Sequence, residues 1–136
     1  MAYATQSDIE DRFGVDNVAQ WSNLENESTT ADTARIANAI AFAGQEIDDR
    51  FRNSEYVVPL SAAGSSGLLP ATGWAASLAG AWLFQSRLMR GNAAGNAETV
   101  MFQRRAAQEE MDLYLAGCRR LDCTRKARMQ NFPQVV

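Results

Sequence analysis

Ile36, Ile40, Ala43, Ile47 and Phe51 follow one another at steps of four, three, four and four residues. A β-strand cannot hold such a set on one face, whereas an α-helix stacks it into a single apolar stripe. A long amphipathic helix is therefore predicted to carry this stripe, capped at its start by Thr30 or Asp32. Ala37, Ala39, Ala41 and Gly44 let another backbone approach closely. Downstream, Trp74, Leu78, Ala81, Trp82, Gln85 and Leu88 mark one face of a second long helix, and Ala75, Ala76, Ala79 and Leu83 fill much of the rest. A helix apolar on most sides belongs at the centre of its domain or is shared between core and subunit interface. A third runs from Val100 to about Cys123, with Ala107, Met111, Tyr114, Cys118 and Leu121 on one face.

Two short helices precede these. Thr5 with Asp8, and Ser7 with Glu10, have the capping-box spacing, Ile9 and Phe13 form one stripe, and Gly14 supplies a stop. Val18 and Trp21 then share one side of a further turn or two. The predicted fold is all-α, a small helical bundle of two or three long helices and two short N-terminal ones. Its 136 residues suffice for one core. The exception is residues 53–73. In Tyr56, Val57, Val58, Pro59 and Leu60 the helical period disappears, because the residue before a proline avoids the helical region. So long an excursion, with a Gly-Ser-Ser-Gly tip, is expected to be an extended arm rather than a packing element. The organisation expected is a helical domain over residues 1–123 and an extended C-terminal tail over 124–136.

Chemistry is sparse. With no histidine and two cysteines the chain lacks the ligands of a zinc site and the usual nucleophile-base pairs. Cys118 and Cys123, five apart, do not share a helix face, which argues for two reduced thiols. No phosphate-cradling or dinucleotide glycine pattern is present. Glu46, Asp48 and Asp49 could hold Mg²⁺ only if neighbours on a helix converged; with Arg50 and Arg52 beside them they are better explained as a solvated or subunit-facing surface. Arg119, Arg120, Arg125, Lys126 and Arg128 could bind DNA phosphates, as in a helical DNA-binding or regulatory protein, or dock on an acidic protein with Phe132, Pro133, Val135 and Val136 as anchors. The spacing of Tyr3, Trp21, Trp74, Trp82 and Tyr114 favours core or subunit contacts over a ligand cage. No cofactor and no enzymatic activity are expected. Without a basic start followed by an apolar run, no signal peptide is expected, and the window from Leu68 to Phe84 is too short and polar for a membrane span.

The net charge of −3 conceals a polarity. Residues 1–60 carry eleven acidic and four basic side chains, and residues 61–136 five and nine. Opposite ends of opposite sign let a molecule meet its own copies, or two partners, in a fixed direction.

"YATQSDIEDRFG" from Tyr3, "ARIANAIAFAGQEIDDRF" from Ala34, "YVVPL" from Tyr56 and "LLPATGWAASLAGAWLFQSR" from Leu68 together resemble the small phage head-tail connector proteins, or adaptors, of the Mu-like type. The similarity spans about residues 3–122 in order. Tyr3-Ala4-Thr5, Arg12-Phe13-Gly14, Glu46-Ile47-Asp48 and Pro59-Leu60 carry it. This resemblance implies an all-helical, non-enzymatic subunit at the neck of the virion. Copies assemble as a ring, typically dodecameric, beneath the portal protein. The ring extends the channel for double-stranded DNA without reading its sequence, meets a tail or neck protein, and helps retain the genome. In that setting Arg119, Arg120, Arg125, Lys126, Arg128, Phe132, Pro133, Val135 and Val136 would form a portal-docking tail. Tyr56, Val57, Val58, Pro59 and Leu60 would form an arm onto a neighbour or tail protein, and Glu46, Asp48 and Asp49 an inter-subunit or channel-facing acidic surface.

Overall fold

A computed structural model describes residues 2–23, 30–64, 67–91 and 93–126, and among these it is all-helical. Helix α1 spans Gln6–Phe13, α2 Val15–Ser22, α3 Thr33–Phe51, α4 Leu69–Met89 and α5 Ala97–Leu115. The starts obey local chemistry. Thr5 and Asp8 form the expected reciprocal capping box, Asp32 accepts from the Arg35 amide, and Asn96 accepts from the amides of Glu98 and Thr99. Gly14, at φ 93°, lets α1 turn directly into α2, a backbone region other residues rarely adopt.

Helix α4 is the axis of the bundle, and α1, α2, α3 and α5 all pack on it. Trp74 through Ala81 are continuously buried, as expected of a helix apolar on most sides. Phe51 stacks on Trp74 and Phe42 on Trp82, so α3 runs antiparallel to α4 with its whole predicted stripe in the core. On the other flank α1 approaches so closely that a Cβ on Gly80 would lie 2.0 Å from the Phe13 ring. Buried Arg87 donates to the carbonyls of Gln20 and Asn23 at the end of α2, where a cation suits the carbonyl end of the helix dipole.

Three expectations are corrected. Helix α4 begins at Leu69, with Pro70 in its first turn, so the irregular stretch ends sooner than residue 73. Helix α5 stops at Leu115 rather than near Cys123, because Gly117 turns the chain at φ 84°. Cys118 is thereby exposed, whereas Leu121 is buried beyond the helix.

The third concerns the arm, which does not leave the body. Tyr56 and Leu60 are fully buried, and Val58-Pro59 is a cis peptide. An extended segment against a core must pair its backbone groups. Here the C-terminal segment pairs them. The Val57 amide donates to the Thr124 carbonyl at 3.0 Å, the Thr124 amide to Ser61 at 2.8 Å, the Ala63 amide to Asp122 at 2.9 Å and the Lys126 amide to Glu55 at 2.7 Å. Isolated antiparallel bridges join Tyr56 to Arg125 and Ala62 to Cys123. The expected division after Cys123 falls inside this pairing, so residues 124–126 belong to the body. Gly67 makes the closeness possible, since a Cβ there would lie 2.0 Å from the Asp122 carbonyl oxygen.

Both cysteines are free. Burial, and then the Asp122 carboxylate, raise the Cys123 thiol above its usual range, and its Sγ sits 3.3 Å from the Gly67 carbonyl. A thiol so placed supplies little thiolate. Ellman titration of the folded protein is therefore expected to show one fast thiol, Cys118, with the second appearing in denaturant. Two fast thiols in native buffer would contradict the packing of residues 121–126.

Candidate interaction surfaces

The carboxylates at the end of α3 are engaged within the subunit. Glu46 pairs with Arg50 at 3.6 Å and with Arg104 of α5 at 3.8 Å, and accepts from Gln108 at 3.2 Å. Asp49 pairs with Arg52 at 3.2 Å and accepts from Gln45. Asp48 accepts from the Tyr3 hydroxyl. These residues join α3 to α5 and to Tyr3 ahead of α1, and their carboxylates are shared with nearby donors. Among the described residues no group of three or more acidic or cysteine side chains is arranged to hold a metal ion.

Tyr3 sits at the centre of this end of the bundle. Its hydroxyl donates to Asp48 and accepts the buried Leu60 amide at 2.8 Å, which fixes the start of the chain and the irregular segment to α3. Desolvation first, then the hydrogen bond to Asp48, push the phenol pKa well above its usual value. The folded state thus keeps the proton that an unfolded tyrosine loses near pH 10. The resulting contribution is complete below that pH and declines as pH rises above it. Tyr3→Phe is expected to cost about 1–3 kcal/mol at neutral pH, by leaving the Leu60 amide without its acceptor. It should also flatten the fall in melting temperature between pH 9 and 11. An unchanged melting curve would remove Tyr3 from the account.

The other sequence-derived candidates are scattered. Of the proposed arm, Val57 and Pro59 face solvent and Val58 is half-buried, whereas Tyr56 and Leu60 are core. Arg119 and Arg120 are exposed just after α5. Arg125 lies in the paired segment, and Lys126 donates to the Arg52 carbonyl at 2.8 Å. Arg128, Phe132, Pro133, Val135 and Val136 lie outside the described residues.

Two further surfaces emerge at the ends of α4. Near the C-terminal end of α4, Phe42 is 57% exposed while stacked on half-buried Trp82 at 5.2 Å, and the Arg35 guanidinium lies over the same indole at 4.9 Å. Burial and neighbouring Arg90 lower the Arg35 pKa, with Asp32 opposing them. Phe42 falls off the apolar stripe of α3, and an aromatic on the wet side of a helix was the signal available. At the other end of α4, a cleft of about 450 Å³ is lined by Asp8, Asp11, Arg12, Leu69, Thr72, Gly73 and Ala76. A second, of about 230 Å³, shares Arg12, Leu69 and Gly73 with it and reaches Trp74, Gln103 and Glu110. Leu69 is 67% exposed at this rim, and Trp74 Nε1, buried, has no acceptor among the described residues.

Nothing among the described helices is long and apolar enough to cross a membrane. No curated protein matches the chain. A family described as Bacteriophage Mu, Gp36 does match, over residues 3–93, about two-thirds of the sequence. The matched stretch holds the capping box of α1, the stripe of α3, the Tyr56–Leu60 packing and all of α4, so it takes in the axis of the bundle and three of the helices packed on it. By that match this all-helical chain belongs to the Bacteriophage Mu Gp36 family, a family of phage proteins.

Proposed function

We propose that the chain is a structural head-tail connector of a tailed phage. In this reading copies form a ring beneath the portal, lengthen the DNA channel and offer a platform to a tail or neck protein, without catalysis and without a cofactor. The observation that carries the reading is the family match through α1–α4. The architecture is consistent with it. A helical body closed by its own C-terminal segment presents distinct surfaces at the two ends of one long axial helix, which is what a part in a polar stack requires. Exposed Arg119 and Arg120, with the chain that follows Lys126, are assigned the portal contact, and Val57 and Pro59 the contact to a neighbour or tail protein.

The reading is tested in phage assembly with the gene for this chain disrupted. DNA-filled heads that lose genome and carry no tails are expected, with the protein present in wild-type particles. Infectious, tailed particles lacking the protein would refute it.

A further inference from the structure

The two surfaces at opposite ends of α4 are complementary. At one end, Trp82 and Met89, seven residues apart, share a helix face; with Phe42 they form an apolar platform, and Met89 is 88% exposed. Arg35 and Arg90 flank it, the Arg90 charge being near enough to act on Arg35, and neither joins an ion pair among the described residues. A packed aromatic with exposed Met and Arg has the composition of an interface centre.

At the other end, the adjoining clefts carry three carboxylates, Asp8, Asp11 and Glu110, to one guanidinium, Arg12, which donates to Gln103. Asp11 is exposed and joins no ion pair among the described residues. Leu69 offers an apolar rim. The buried Trp74 indole lacks an acceptor among the described residues.

We infer that the occupant of the clefts is a second copy of this chain, its Phe42–Trp82–Met89 platform seated on Leu69, and its Arg35 and Arg90 facing Asp8, Asp11 and Glu110. The two surfaces lie about 30 Å apart along α4, from twenty residues at 1.5 Å each. The contact is therefore head-to-tail, and each copy keeps one platform and one cleft free for the next. Such a contact can propagate; closure into a ring is the part that rests on the connector reading.

Disulfide trapping with charge swaps tests the pairing. In a Cys118→Ser background, Leu69→Cys and Met89→Cys place one thiol on each surface. Oxidation of the purified chain at high concentration and low salt is expected to give a covalent ladder beyond the dimer. Asp11→Arg alone, or Arg90→Glu alone, should reduce the ladder at least tenfold. Both together on one chain should restore it, and so should an equimolar mixture of the two single variants. No ladder, a product that stops at the dimer, or a ladder indifferent to the swaps would overturn the pairing. A ring on the portal, seen by microscopy despite such a result, would keep the connector reading and require other contact surfaces.

Discussion

Ile47→Asp is expected to yield a protein that does not fold, with no cooperative thermal transition and circular dichroism far below that of a five-helix domain. Ile47 is fully buried in the α3 stripe, one turn before Phe51, which stacks on Trp74 of α4. A carboxylate there has no cationic partner in the stripe, and burying it costs several kcal/mol even after its pKa adjusts. Lost packing adds to that cost, and the sum is comparable to the whole stability of a domain this size. Ile47→Val, which removes one methyl group, should cost only about 0.5–1.5 kcal/mol and keep the transition cooperative. If the aspartate variant melted like the parent, the core face of α3 would have been misassigned.

A comparable effect is expected at the C-terminal clasp. Truncation before Leu121 removes two buried side chains, Leu121 and Cys123, together with the backbone partners of Val57, Ser61, Ala63 and Glu55. It also removes the Leu121 amide that the Tyr56 hydroxyl accepts at 2.8 Å. The expected loss is about 3–5 kcal/mol, from exposed apolar surface and from buried polar groups left unpaired. Truncation after Lys126 leaves every one of those contacts in place, so its midpoint of urea unfolding should lie well above that of the shorter form. Gly67→Ala reaches the same junction from the other side. Its Cβ would lie 2.0 Å from a backbone oxygen, which cannot rotate away as a side chain can, so about 1–3 kcal/mol is expected. Equal midpoints for the two truncations would show that residues 121–126 do not clasp the body.

Periodicity made the helices legible, because each stripe is written locally. The five residues of the α3 stripe are all buried, and the apolar girth of α4 marked it as the centre. Local chemistry also made the Thr5 capping box legible, and the pairs Glu46–Arg50 and Asp49–Arg52, which are four and three residues apart. Contacts made across long separations were not. The Tyr56–Leu60 segment looks like an arm in isolation because the backbone that pairs with it lies more than sixty residues later, and Asp48 looks like a surface charge because its donor is Tyr3. The end of α5 was misread for another reason. Cys118 and Leu121 continue the helical spacing, yet Gly117 breaks the helix before either, and the glycine decides. The clefts at one end of α4 are assembled from α1, α4 and α5 and the platform at the other from α3 and α4, so no single stretch of sequence contains either.

The proposed ring of this chain on a portal is large enough to be seen. Electron microscopy of particles from cells making the protein together with a portal protein of the same phage, averaged down the symmetry axis, shows it directly. The account predicts an added coaxial ring of helical subunits, absent when this chain is omitted, with α4 ends of adjacent copies in contact. Bare portals beside free monomers would contradict it.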